Sequence, residues 1–346
     1  MLRRLRGPLT LAVTAMLVLA ACGGGTTQPQ PQATAAGTPQ PAGPRLGSFD
    51  RPIILAFTPS AEAQRIQTSG NAIASALASA TGLRWKVVIP TSYAAQIEAV
   101  CAGQADVAFI APLQMTLLLD KKCGSPILGA LRLDETGKLS TTFNSQILVR
   151  TDRGINSLQD LKGKKFAFVD PISTSGHLFP LILVKQKTGQ EPKAFFSETI
   201  FAGSHPNAVL AVYNKRVDGA ASFTDARLRT LGRPELAANM PPDILQATKM
   251  IDKAGPIPND GIALRTKFPD ELGTQVKQSL LDYAQTDAGK KSLKDLFNWD
   301  GMQEIAATTF DPLIEAARLG GIDVAAEAAK TPRPPATPAP SPTKTP

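Results

Sequence analysis

The chain is poor in the residues from which most reactive sites are built. It has two histidines, three cysteines, two tryptophans and three tyrosines among 346 residues. Two histidines that sit far apart do not make the paired imidazole ligands of a zinc site. Aromatic residues amount to 5 %, and no basic stripe interleaved with them appears, so a nucleic-acid platform is not indicated. Beyond residue 21 no run is long and apolar enough to span a bilayer. Excess positive charge is also scarcer than the formal +8 suggests. Setting aside Arg3, Arg4 and Arg6 at the front and Arg333 and Lys344 at the end leaves +3 for residues 22–330.

What is present begins with a processing segment. Arg3, Arg4 and Arg6 precede an apolar stretch, Pro8–Ala21, which closes on "LAAC" at Leu19–Cys22. A basic start and a short apolar core read as a signal peptide over residues 1–21. Small residues followed by Cys22 look like a lipobox, with Cys22 as the lipidated residue and membrane anchor; an ordinary signal peptide is the alternative. Residues 22–47, "CGGGTTQPQPQATAAGTPQPAGPRLG", hold almost no bulky apolar side chain and read as a flexible linker. Residues 330–346, rich in Pro and Thr, have the same character. The remainder is long enough for two lobes of ordinary domain size. Cys101 and Cys123 are left, and in an exported chain such a pair is expected to form a disulfide, two buried thiols being the alternative.

Short apolar strands alternate with helical patterns through the folded part. "PIILAF" (52–57), "RWKVVIP" and "ADVAFIAP" read as strands, separated by helices over 63–82 and "SYAAQIEAVCAG". In the first helix Ile66, Ile73, Leu77 and Ala80 are expected to point inward, and Gly82 to end it. After a strand at 143–152, a short helix at 157–163 and a strand at 164–170, the series restarts. It runs helix 174–188, strand 195–203, helix 206–216, strand 218–224 and helix 225–231. "NDGIALRTK" (259–267) echoes "NSQILVRTD" (144–152). This predicts a chain that leaves one lobe along the first segment and returns along the second. The expected architecture is α/β with two lobes, each a mostly parallel sheet flanked by helices, joined by two crossing strands. Lobe 1 comprises residues 48–146 plus 262–329, with 270–328 helical, and lobe 2 residues 147–261.

One loop stands out. "VDPISTSGHLFP" ends a strand, then presents Ser173, Thr174, Ser175 and Gly176 at the mouth of a helix. Helix N-termini carry unpaired N–H groups and partial positive charge. Hydroxyls and a glycine added there make a charge-free anion cradle; plain N-capping is the simpler reading. His205 lies between a strand and the helix beginning near Pro206, and Asp225 follows another strand. In open α/β sheets ligands sit beyond the carboxyl ends of strands, where all three loops lie. His177 is expected to be a packing or rim residue. Ser175, His205 and Asp225 do not make a convincing hydrolase triad, because Ser175 lacks a Gly-x-Ser-x-Gly elbow. No enzymatic activity, metal or cofactor is expected.

"DPISTSGHLFP", "GSHPNAVLAV", "VDGAASFTDAR" and "GPIPNDGIALR" resemble, in order and spacing, the phosphonate/phosphite/phosphate solute-binding proteins of ABC importers. "TSYAAQIEAVCAGQADVAFIAP" resembles their first lobe, and the likeness spans about residues 50–315. It implies the type II periplasmic-binding-protein fold and a phosphorus oxyanion clamped between lobes. Ser173, Thr174, Ser175 and His205 would hold the oxyanion. Asp225 would accept a proton from it or pair with a ligand amine, and Tyr93 would close over it. The implied partners are a permease and its ATPase, with the protein a monomer outside the cytoplasm. Two departures stand out: Met115 occupies the place of a family tyrosine, and 58–70 lacks the usual proline-containing helix start.

Overall fold

The computed structural model describes residues 44–134, 137–224, 226–227, 240–319, 323 and 326. The signal peptide, Cys22, most of the linker, Asp225 and the tail from residue 330 lie outside the described residues.

The chain first lays down β1 (Ile53–Phe57), α1 (Ala63–Thr81), β2 (Trp85–Val88), α2 (Tyr93–Cys101), β3 (Val107–Ile110) and α3 (Pro112–Asp120). β4 (Gly124–Leu133) and the two-residue β5 (Leu139–Ser140) follow. It then crosses into β6 (Thr142–Arg150) and β7 (Lys165–Phe168), followed by a π turn at Thr174–Leu178 that runs into α4 (Phe179–Thr188). α5 (Pro192–Phe195), β8 (Glu198–Phe201), α6 (His205–Tyr213), β9 (Gly219–Phe223), α7 (Ile244–Ala247) and β10 (Thr248–Pro258) complete that part. The return is made by β11 (Gly261–Arg265), α8 (Asp270–Gln285), α9 (Asp287–Phe297), β12 (Gly301–Glu304) and α10 (Asp311–Leu319).

Two sheets result. The first has the order β12-β4-β11-β3-β1-β2 with β5 paired to β4, and the second β10-β6-β9-β7-β8. Within the first, β1 pairs in parallel with β2 and β3, while β11 runs antiparallel to both β3 and β4. Within the second, β7 is parallel to β8 and β9, while β6 runs antiparallel to β9 and β10. Both sheets are therefore mixed, not mostly parallel. Parallel neighbours need a crossover helix, and the α-linked strands have one. Strands that arrive from the other sheet come without a helix and dock antiparallel.

The sequence pattern missed β4, β5, β10 and β12. β10 carries two lysines, an aspartate and a Gly-Pro pair, and it lies at an edge where one face stays open to solvent. β12 falls in a stretch expected to be helical throughout; it is short and its apolar content is a single methionine. β6 belongs to the second sheet from Thr142 onward, so its pairing does not break at residue 146. In α1 the buried stripe is Ile66, Ser69, Gly70, Ile73, Ala74 and Leu77, closed by Gly82 in the left-handed conformation. Ala80 is exposed, contrary to the helical period, because the last turn runs past the buried stripe.

The sheets join at two adjacent crossings. Asn259 N–H donates to Thr141 O at 2.8 Å, and Asn259 Nδ2 donates to Ala130 O and Ser140 O at 2.9 and 2.8 Å. Cys101 at the end of α2 and Cys123 just before β4 are joined by a disulfide with Cα atoms 4.8 Å apart. The first sheet packs α1, α8 and α9 over an aromatic row in which Phe109 lies 4.7 Å from Phe57 and 5.5 Å from Trp299. A further apolar cluster spans the two sheets, placing Tyr93, Leu113 and Met115 with Ile172, Leu178, Phe179 and Ile182. No described helix is long and apolar enough to cross a membrane.

Candidate functional site

β7, β8 and β9 are parallel, so their carboxyl ends share one edge of the second sheet. The loop holding Ser173–Ser175 follows β7, and His205 opens α6 after β8. β1 and β3 deliver Thr58, Ser60, Ala111 and Pro112 from the first sheet to the opposing edge. Between the edges lies a cavity of about 30 Å³, lined by Tyr93, Ser173, Thr174, Ser175 and His205 among others. That space is on the scale of a small ion.

The cradle is a π turn. Ser173 Oγ accepts from Gly176 N–H at 3.1 Å, and Leu178 N–H donates to Ser173 O at 3.0 Å, closing the wider loop. By position the N–H groups of Thr174 and Ser175 open the helix and have no intrahelical acceptor. Widened turns of this kind concentrate at functional sites. Thr174 Oγ1 accepts from Leu113 N–H at 2.9 Å, a bond from the π turn to the start of α3 on the first sheet. Ser175 is held from behind, its carbonyl accepting from Ser145 Oγ at 2.7 Å.

Gly176 does not line the cavity. A Cβ there would come within 2.5 Å of Val169 Cβ and 2.8 Å of Ser173 Oγ. The glycine lets the turn lie against the end of β7; it gives the ligand space no extra room. His177 lies outside the lining too, its Nδ1 2.8 Å from Pro171 O and its ring edge-on to Phe168 and Phe201. His205 sets its Nδ1 2.9 Å from Ser222 Oγ and packs its ring edge-on to Phe223. Its backbone N–H donates to Ser60 O across the cleft at 3.3 Å.

Tyr93 caps the cavity from the start of α2, where Ser92 Oγ accepts from Ala95 N–H at 3.1 Å. A buried amide network supports it. Gln114 Nε2 donates to Tyr93 O at 3.0 Å and to Gln96 Oε1 at 2.9 Å, while Thr58 Oγ1 lies 2.7 Å from Oε1 of both glutamines. The Tyr93 hydroxyl is buried and makes no hydrogen bond among the described residues. Burial pushes its pKa well above the ordinary value, and the charges of Asp170 and Asp260 add to the rise. The phenol stays neutral and able to donate.

Met115 lies in the core, fully buried, and does not line the cavity. Asp170 begins the cradle and is also buried. Burial raises its carboxyl to about 6, while the N–H groups of Ile172 and Tyr93 pull the other way.

Sequence reasoning missed two residues. Arg132, at the carboxyl end of β4, and Asp260, just before β11, both line the cavity and form an ion pair. Trp299 Nε1 also donates to Asp260 Oδ2 at 3.3 Å. The cradle loop is itself charge-free, but the cavity it lines is not. The first sheet brings a cation to it from 41 positions earlier in the chain. The available signal was a lone arginine in the apolar run "PILGALRL".

The family described as the periplasmic substrate-binding protein of phosphonate ABC transporters matches residues 55–310. The phosphate-import protein PhnD of Mycolicibacterium smegmatis is 32 % identical over 220 residues, which cover 62 % of this chain; the chain spans 64 % of the length of that relative. A binding-protein component of an ABC phosphonate transporter from Pseudomonas aeruginosa superposes with a TM-score of 0.69 at 24 % identity, covering 78 % of this chain and 86 % of the other. PhnD1 of Prochlorococcus marinus, solved with methylphosphonate, superposes at 0.66 with 18 % identity, covering 77 % and 97 %.

Proposed function

The chain belongs to the family of periplasmic phosphonate-binding proteins of ABC transporters and has their type II binding-protein fold, and on that footing we propose that it captures a phosphorus oxyanion outside the cytoplasm and hands it to a permease driven by an ATPase. The observation that carries this reading is the convergence of Ser173, Thr174, Ser175 and His205 on one buried cavity between two sheets. Orphan N–H groups at a helix start, hydroxyls that rotate to suit, and a histidine ring are complementary to a tetrahedral oxyanion. In the tautomer where Ser222 Oγ donates to Nδ1, the His205 ring proton is on Nε2, from which it can donate to a ligand oxygen. Tyr93 adds a neutral donor from the other sheet.

The two sheets form two lobes that hinge at Thr141 and Asn259. The bonds from Leu113 to Thr174 and from His205 to Ser60 bridge the lobes and stabilise the closed form. A ligand that touches both lobes shifts the balance toward that form. Asp225 retains the part of acceptor for a ligand proton or amine. Cys22 carries the lipid that tethers the protein to the membrane, with residues 22–47 as the leash and residues 330–346 as a free tail; the protein acts as a monomer. Phosphite and phosphate are bound by the same groups as phosphonates. No group in the cavity performs a reaction in this scheme.

Calorimetry with phosphate, phosphite and methylphosphonate tests the proposal. Each donor to a charged oxygen contributes about 1.5–3 kcal/mol, so Thr174→Ala, Ser175→Ala and His205→Ala are each expected to weaken the best ligand by roughly 10- to 100-fold. Undiminished affinity in both hydroxyl variants would reduce the turn to a helix cap.

A further inference from the structure

Arg132 has an unusual environment. Its side chain is 6 % exposed, and the guanidinium lies 4.8 Å above the Phe143 ring and 5.8 Å from that of Phe223. One nitrogen, Nη2, pairs with Asp260. Nε and Nη1 are buried and find no acceptor among the described residues. A guanidinium cannot shed its proton to escape such a site, and unmet donors that are buried are strongly unfavourable. The residue lines the cavity, facing the cradle from the first sheet. Its pair with Asp260 sits at the crossing, where Asp260 O accepts from Ala130 N–H at 2.9 Å, so the guanidinium is anchored in place.

We infer that Arg132 sets the specificity of this cavity, using Nε–H and Nη1–H to require a hydrogen-bond acceptor as the fourth substituent on phosphorus. This rests on the proposed capture of a phosphorus oxyanion. The cradle accounts for the oxygens on its own side. The fourth substituent meets the opposing wall, made by Ile110, Phe297 and Arg132, with Phe143 of β6 stacked on the guanidinium. The apolar members accept a methyl group readily. Arg132 decides against it, because a methyl fills the space without meeting either donor, whereas a fourth oxygen meets them. A site built to hydrogen-bond a group discriminates strongly against the analogue that lacks it. Inorganic phosphate is therefore preferred over methylphosphonate.

The experiment compares dissociation constants for inorganic phosphate and methylphosphonate by calorimetry. The wild-type chain is expected to prefer phosphate at least tenfold. Arg132→Lys keeps a cation for Asp260 but removes the planar fork, and is expected to bring the two constants within about threefold of each other. Arg132→Met with Asp260→Asn removes the ion pair without stranding a half-buried carboxylate, and covers the case in which the lysine variant does not fold. The same collapse of the ratio is expected there. A wild-type chain that binds both ligands equally, or a preference that survives in a folded variant, overturns the role of Arg132 and leaves oxyanion capture standing. A wild-type chain that binds neither ligand overturns the reading beneath it as well.

Discussion

Replacing Asp170 by asparagine probes the chemistry at the root of the cradle. Its carboxyl accepts from Ile172 N–H at 2.8 Å, yet burial raises its pKa from 3.8 to about 6. The folded state thus binds the proton more tightly than the unfolded chain. Below about pH 4 both states are protonated and the carboxyl carries no penalty. Between about pH 4 and 6 the unfolded chain ionises first, and wild-type stability falls. Above 6 the loss is complete. A rise from 3.8 to about 6 corresponds to about 3 kcal/mol. The asparagine side chain does not titrate, so the variant's difference from wild type isolates this contribution. It retains an oxygen for Ile172 N–H, and any loss at Tyr93 N–H shifts the variant by an amount independent of pH. Urea unfolding of both proteins from pH 3.5 to 7.5, without ligand, reads the difference directly. Asp170→Asn should gain about 3 kcal/mol on wild type between the acid and neutral ends. A difference flat to within about 0.5 kcal/mol would refute the reasoning.

Gly176→Ala should destabilise by about 1–3 kcal/mol, since its Cβ would press on Val169 and Ser173 Oγ. Thermal unfolding measures it, and an unchanged midpoint would show that the turn has slack. Cys22→Ala should move the protein from the detergent to the aqueous phase on extraction of expressing cells; continued partition with detergent would remove the lipid anchor from the scheme.

Much of this protein is decided locally, and that part was readable. The alternation of strands with helices in the first series follows from apolar period and helix stops such as Gly82. The cradle was legible because strand end, hydroxyls and helix start are consecutive in Ser173–Ser175, and His205 because it opens a helix directly after a strand. Each depends on neighbours within a few residues. β10 and β12 were not readable, because both carry little apolar signal and are held by partners far away in the chain, Thr248 by Arg150 and Gly301 by Leu131.

The site divides the same way. The run of hydroxyls at the mouth of a helix is a local feature, set by consecutive residues. What else lines that cavity depends on which strands lie side by side. β4 and β11 pair in register, Gly129 against Gly261, and that register brings Arg132 and Asp260 together at the cavity from positions 128 apart. Gly176 is needed because Val169 lies against the turn, and Met115 is core because α3 packs against Gly261. The sequence by itself determined that hydroxyls gather at a helix start beyond a strand; only the tertiary structure decided that a buried, half-satisfied cation shares their cavity, because pairing and packing across the sheets set that contact and no local period encodes it.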